Sequence, residues 1–328
     1  MPWTDRGERF DVLTDILRSV RLRGTVYFEA AFRAPWGMEI KGGRVANFHI
    51  VVDGRCWMRI PSLDVTLTVA PGDLVFLPHG TTHFLTDRPD RNAIPADQLL
   101  ATGPDPTSPQ PVYGGTGPAT RLICGHFERD PGSRHPLFTG LPPLIHIAAG
   151  DDPAGNWIQA AAGLLVVESR SQGAGARAVV DRMAEALLLK VLRTYADTTP
   201  GGTGFLTALA DAGLQRAIES MHREPGRAWT LEALALEAGM SRTALAVRFR
   251  QAVGTSPIRY LAEWRMLKAR DLLLTTDLTL AAIADRSGYR SEFAFARAFK
   301  RIHGLPPGAV RRHPDIEEDR KTEASLSN

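Results

Sequence analysis

Two sets of side chains have the types and spacing to do chemistry. The first lies in SRTALAVRFR and SEFAFARAFKR, where Arg242, Arg250, Arg297, Lys300 and Arg301 are interleaved with Ser241, Thr243, Ala246, Val247, Ser291 and Glu292. Guanidinium and ammonium groups donate charged hydrogen bonds to phosphate oxygens, and the planar fork of arginine also fits the O6/N7 edge of guanine. Ala, Val and Thr methyls on an exposed face can meet thymine methyls. The second set is imidazole: His49, His79, His83 and His126, with His79 and His83 inside PGDLVFLPHGTTHF. Neutral imidazoles ligate metals, move protons or hydrogen-bond a small polar ligand.

The first set sits in an internal repeat. Thr230, Leu231, Leu234, Ala235 and Gly239 answer to Thr279, Leu280, Ile283, Ala284 and Gly288 at an offset of 49. After one inserted residue, Ser241, Leu245, Phe249, Gly254 and Pro257 answer to Ser291, Phe295, Phe299, Gly304 and Pro307 at an offset of 50. Matches in register over this length mark a duplicated supersecondary unit. Each copy begins at a Thr that can cap a helix, runs with apolar 3 to 4 spacing to a Gly, and starts a second helix at a Ser. The pattern predicts two helix-turn-helix units, 230–254 and 279–304. Leu245, Phe249, Ala252 and Val253 take the inner side of one second helix, which turns Thr243, Ala246, Val247 and Arg250 outward. Phe295, Phe299 and Ile302 likewise turn Glu292, Phe293, Ala296, Arg297 and Lys300 outward. Small residues on such a face let a helix enter a major groove closely. Between the copies, Pro257 opens a helix of ~25 Å, long enough to hold two such units near the ~34 Å of a DNA turn.

Charge divides along the same line. Residues 214–313 carry 17 Lys/Arg against 9 Asp/Glu, a net +8, while the remainder has 22 against 27, a net −5. This asymmetry points to a nucleic-acid-binding module joined to something that is not one, and the groove-facing helices make double-stranded DNA the expected partner. Here the chain resembles the AraC/XylS family of transcription regulators, over residues 214–312. The motifs are MSRTALAVRFRQAVGTSPIRYLAEWRMLKARDLL and IADRSGYRSEFAFARAFKRIHGLPPGAVRR. The resemblance implies two recognition helices entering successive major grooves. It also implies that Val247 stands where a base-reading Arg is common, whereas Arg297 keeps the Arg, so direct readout by the first helix is expected to be weaker and more apolar.

The N-terminal two-thirds read as β-structure. NFHIVVDGRCWMRI alternates around an Asp-Gly turn, VTLTVAPGDLVFLPHGTTHFL adds β-branched runs between Pro/Gly turns, and 86–120 reads as an irregular loop. Strands are expected again at 121–128 and 143–148, giving a small antiparallel barrel or jelly roll. Gly72, Pro78, Gly80 and His83 resemble the second cupin motif, which implies a cupin-type sensor domain for a small-molecule effector, its pocket assigned to His49, Trp57, His83 and His126. Two of the usual cupin metal ligands are missing, so no metal and no cofactor is expected. Residues 156–197 read as two helices broken at 172–175, with Val180, Met183, Leu187, Leu188, Val191 and Tyr195 forming a stripe. In the resembling family this is where dimer contacts form, so a homodimer is expected.

At 328 residues with 44% hydrophobic and 23% charged positions, the chain suits two or three soluble domains. Its longest apolar stretch, 160–167, is far below the ~18 residues of a membrane span, so no membrane is expected as a partner and the cytoplasm is the expected compartment. Cys56 and Cys124 fall in strand-like runs and imply no disulfide framework. The expected fold class is α+β: a cupin-like domain at 1–155, a helical hairpin for dimerisation at 156–197, a linker at 198–207, an all-α DNA-binding domain at 208–313 and a disordered tail at 314–328. No catalytic residue is assigned. A cupin-type metal enzyme and a constitutive DNA binder whose barrel only dimerises are the rival readings, and a contact with RNA polymerase stays open.

Overall fold

The computed structural model describes residues 10–104, 111–128, 135–150, 153–198 and 204–312. In chain order the elements are α1 (Val12–Val20), β1 (Arg23–Arg33), β2 (Gly37–Ile40), β3 (Ala46–Asp53), β4 (Cys56–Ile60), β5 (Val65–Val69), β6 (Leu74–Leu77), β7 (His83–Thr86), β8 (Ile94–Pro95), α2 (Ala96–Ala101), β9 (Val112–Gly114) and β10 (Ala119–Glu128). There follow α3 (Pro136–Thr139), β11 (Ile145–Ile147), α4 (Pro153–Ser169), α5 (Ala176–Thr198), α6 (Phe205–Ala210), α7 (Ala212–Arg223), α8 (Leu231–Ala238), α9 (Arg242–Val253), α10 (Pro257–Thr275), α11 (Leu280–Arg286), α12 (Glu292–His303) and α13 (Pro307–Arg312). They form two compact units: the sheets with α2, α4 and α5, and the remaining helices.

In the β-rich unit one sheet runs β11-β6-β3-β10-β1-β9 and the other β5-β4-β7-β2-β8. Phe32, Val51, Val75 and Leu122 of the first meet Met38, Met58, Ile60 and Leu85 of the second in one core. The result is a two-sheet sandwich, within the expected class of barrel or jelly roll, in which each sheet keeps its edges. Short β11, and β8 with Pro95, cannot continue a ladder. The Asp-Gly turn is also not a hairpin. Asp53 and Gly54 carry the chain from one sheet to the other, since β3 pairs with β10 and β6 while β4 pairs with β5 and β7. Gly54 adopts φ +75°, and a Cβ there would run into the Ala119 carbonyl. The first sheet's outer face is covered by α4 against β3 and α5 against β1, so β3 is buried almost throughout rather than alternating.

Two further expectations change in this unit. The stretch 86–120 carries β8, α2 and β9, because Leu99 and Leu100 add an apolar face to the core, whereas 105–110 lie outside the described residues. The hairpin of α4 and α5 breaks where expected, but Val180, Leu187, Leu188 and Val191 are buried within the unit. The exposed apolar face lies on α4, at Trp157, Leu164 and Val167, with Val179 at the start of α5.

The helical unit contains more than the C-terminal third. α1 buries Val12, Leu13, Ile16 and Val20 and packs on α7 and α10, while α3 packs on α6. A chain of hydrogen bonds ties them in. The Leu137 amide donates to His135 Nδ1 (3.1 Å), which makes His135 Nε2–H the donor to Tyr260 Oη (3.1 Å). The Tyr260 hydroxyl then donates to His222 Nε2 (2.6 Å), and His222 Nδ1–H donates to Asp15 Oδ2 (3.1 Å). Lys268 Nζ lies 3.0 Å from the other Asp15 oxygen. Burial alone would raise the Asp15 carboxyl, but His222 and Lys268 outweigh it and hold it below its ordinary value. The expected boundary at 155 therefore misses two N-terminal segments that are built into the helical unit. Of the expected linker, 199–203 lie outside the described residues, and α6 follows at once because Phe205, Leu206 and Ala208 are buried. The expected disordered tail at 314–328 lies outside the described residues.

Candidate nucleic-acid interface

Both halves of the repeat fold with the same local chemistry. Thr230 Oγ1 accepts from the Ala233 amide and Thr279 Oγ1 from the Ala282 amide, each at 3.2 Å, starting α8 and α11. Gly239 (φ +65°) and Gly288 (φ +74°) then take the left-handed conformation of the turn, which a side chain would strain. Ser241 Oγ accepts from the Ala244 amide and Ser291 Oγ from the Ala294 amide, again at 3.2 Å, and these caps open α9 and α12. The inner faces are Leu245, Phe249 and Val253 in α9, and Phe295, Ala298 and Phe299 in α12. α10 packs against α9, α11, α12 and α13 and joins the two halves through Tyr260, Trp264, Met266 and Leu273.

These packed faces leave the outer ones to solvent. On α9 and its cap, Ser241, Arg242, Thr243, Val247 and Arg250 are exposed and Ala246 is half-buried. On α12 and its cap, Ser291, Glu292, Phe293, Arg297, Lys300 and Arg301 are exposed. The basic residues then divide. Arg216 donates to the Glu237 and Ala238 carbonyls at the end of α8, Arg265 to those of Pro225 and Arg227, and Arg311 to Leu278, so these three hold the unit together. Arg242 pairs with Glu232 at 2.6 Å and Arg248 with Asp211. Arg250, Arg286, Arg290, Lys300 and Arg301 have no carboxylate partner among the described residues, and all are exposed. Cations without a carboxylate neighbour are free to meet an anionic surface. Arg286, Arg290 and Phe293 are additions to the sequence-based set. The first two flank the turn of the second unit, a position that their charge alone does not single out from the other basic residues.

The imidazoles of the β-rich unit come together in part. His49 Nε2 lies 2.7 Å from His83 Nε2, His49 Nδ1 lies 2.9 Å from Cys124 Sγ, and His83 Nδ1 lies 2.7 Å from the Thr81 carbonyl. The carbonyl can only accept, so His83 Nδ1 carries the proton, and the chain runs from the Cys124 thiol through His49 to His83 and Thr81. Burial pushes His49 well below its ordinary value, His83's neighbouring charge adding to it. Burial also lowers His83 to about 4, opposed in part by the Thr81 bond. Burial raises the Cys124 thiol, which keeps it protonated and unreactive. The two nitrogens of His49 face opposite partners, and no group of three potential metal ligands occurs among the described residues. His79 is held apart by the Leu141 carbonyl at 2.9 Å. His126 is half-buried, bonded to Glu128 at 3.0 Å and stacked on Tyr27. Trp57 leaves the expected pocket altogether: Cys56, Met58 and Ile60 of β4 face the core, so alternation turns Trp57 to the other side.

Known proteins carry the same two parts. A family described as Cupin matches residues 11–197, and a helix-turn-helix domain family matches residues 234–313. A putative AraC-like transcription regulator of Streptomyces lividans is 31% identical over 93% of this chain and 99% of its own length. One of Streptomyces antibioticus shows the same identity and coverage. The HTH-type transcriptional regulator AlkR of Acinetobacter baylyi is 28% identical over 89% of this chain and 95% of its own length.

Proposed function

The chain belongs to the AraC family of DNA-binding transcription regulators, and we propose that it binds as a homodimer, each protomer placing α9 and α12 in successive major grooves, under control of a small molecule taken up by the β-rich unit. The observation that carries the DNA geometry is the pair of Ser-capped second helices whose outer faces bear exposed cations without carboxylate partners. Arg250, Lys300 and Arg301 take phosphates, and Arg297 reads a base edge. Ser241 and Ser291 leave their helix N-termini open to phosphate, while Thr243, Ala246 and Val247 meet methyl groups. Arg242 exchanges Glu232 for a phosphate at little loss, since an exposed pair contributes at most about 1 kcal/mol. Glu292 is placed to accept from a cytosine amino group.

For the dimer, the support is the exposed row Trp157, Leu164 and Val167 on α4, whose 7 and 3 spacing suits a helix-to-helix seam, with Val179 beside the start of α5. No helix among the described residues is long and apolar enough to cross a membrane. The DNA-binding reading supports a cytoplasmic location for the protein and RNA polymerase as a further partner. We assign it no catalytic step: the relatives are named as regulators, and His49 and His83 have both ring nitrogens engaged by protein groups. Footprinting with the full chain tests the reading. It expects protection of two successive major grooves, about 10 base pairs apart on one face, for each protomer of the dimer. Uniform protection without sequence preference would overturn it. Thermal shift of the full chain with small-molecule panels tests the effector, and sedimentation tests the dimer.

A further inference from the structure

Phe293 is 72% exposed, yet it stands near the start of α12 in a unit whose other large aromatic rings on that helix, Phe295 and Phe299, are fully buried. Most of its ring therefore lies outside the packed core. It is four residues before Arg297, and the guanidinium carbon of Arg297 lies 5.8 Å from the ring centroid. Arg297 has no carboxylate partner among the described residues, so the ring is the neighbour that limits where its fork points. The equivalent pair in α9 is Thr243 and Val247, which are exposed and methyl-bearing. Residues four apart on a helix are neighbours about 5–6 Å apart, a spacing that spans neighbouring base pairs.

We propose that Phe293 is a specificity residue: its ring contacts the 5-methyl group of a pyrimidine, thymine in unmodified DNA, on the base pair beside the guanine that Arg297 reads, and it holds the Arg297 fork toward that guanine. This rests on the DNA-binding reading above. Arginine matches guanine O6/N7, and an apolar side chain reads a thymine methyl, the one apolar feature on a major-groove edge. A flat ring beside the fork serves both, because it presents an edge to the methyl while restricting the rotamers of the longer side chain. The second half of the site is therefore read as a two-base word, a methylated pyrimidine beside a guanine.

The test begins with selection of binding sites by the full-length chain and by its Arg297→Ala variant, which identifies the guanine as the base whose selection is lost. At the neighbouring pyrimidine, thymine is then replaced by uracil, and cytosine is compared with 5-methylcytosine. The parent chain should bind the uracil site about fourfold more weakly, the worth of burying one methyl-sized group, and should prefer 5-methylcytosine to cytosine. Phe293→Ala should lose both differences and part of the guanine preference, with an unchanged melting temperature because the ring is exposed. Phe293→Leu should keep the methyl preference but not the full guanine preference. Equal loss from uracil in the parent and in Phe293→Ala, or no pyrimidine preference beside the guanine, overturns the role of Phe293 and leaves the regulator reading intact. A parent chain that selects no site at all overturns both.

Discussion

Arg297 and Val247 occupy equivalent places in the two halves of the repeat, and their chemistry is unequal. Arg297 can give guanine a bidentate pair worth about 1 to 3 kcal/mol of discrimination, whereas Val247, half-exposed on α9, offers an apolar contact only. Arg297→Ala should relax sequence preference in one half of the site, and Val247→Ala should do much less in the other. Parallel binding-site selections by the two variants decide this, and equal loss would make the α9 face a principal reader. The imidazoles bear on the β-rich unit in the same way. His49 and His83 satisfy each other, Cys124 and Thr81, so protein purified without chelator should contain no stoichiometric iron, zinc or manganese by elemental analysis. Single residues were legible where the repeat fixed their face: the Ser caps, the inner Leu/Phe positions and the outer Arg positions all follow from register. Trp57 was not, because a pocket lining depends on which of two alternating faces meets the core, and no periodicity in five residues of β4 says which. Register turns Phe293 outward, but an exposed aromatic reads as chance until its neighbour is known.

The elements were legible to the extent that their partners are near in sequence. α8, α9, α11 and α12 announce themselves by caps, spacing and terminal glycines, and β3, β4, β6 and β7 by apolar runs. β1 was missed, although it is the longest strand, because RGTVYFEAAFR lies before any turn signal that would frame it. Its pairing with β10 joins residues about a hundred positions apart. α1 is the more consequential case. Asp11 caps it and VLTDILRSV is plainly amphipathic, but which surface receives that face is a tertiary fact. That surface is α7 and α10, so residues 208–313 alone lack part of the core of their own unit. Ile16, fully buried in α1, tests this. Ile16→Ala in the full chain should remove about 2–5 kcal/mol, the cost of truncating a buried aliphatic side chain, from the unit that binds DNA. Urea unfolding followed by hydrogen exchange at the α7 and α10 amides reads that unit. A loss under about 0.5 kcal/mol, the level of a surface substitution, would show that α1 is not part of its cooperative core.

At the scale of the molecule, the division of charge was plain in the sequence, but the number of cations free to meet DNA was not. Several of the basic residues in the C-terminal third hold helix ends, loops or carboxylates, and spacing alone does not separate them from Arg250, Arg286, Arg290, Arg297, Lys300 and Arg301. With roughly five phosphate contacts per protomer, the logarithm of the binding constant should fall with the logarithm of salt concentration at a slope of about −4 to −5 per protomer, about −9 for the bound dimer. Titrations from dilute to physiological buffer give the slope, and a value near zero would remove the electrostatic part. Acid should act on the whole molecule through its buried histidines, which are distributed over both units. His49 and His83 in one, and His135 and His222 in the other, are held neutral by burial, all below their ordinary value of 6.5. In the unfolded chain the same imidazoles take up protons as pH falls through 6.5. The unfolded state then binds more protons than the folded one, so stability is full above that value and declines below it. Asp15, whose folded carboxyl is held low, adds to the loss only at stronger acidity, below 3.8. His83, lowered to about 4, alone accounts for about 2 kcal/mol of lost stability by pH 5. Thermal melts of the full chain at constant ionic strength should therefore show both units melting at lower temperature at pH 5 than at pH 7.5. His83→Asn, which removes the titrating group, should flatten part of the dependence in the β-rich unit while leaving the helical unit's unchanged. Melting temperatures that do not move between these two values would mean that the buried histidines are not held neutral by the fold.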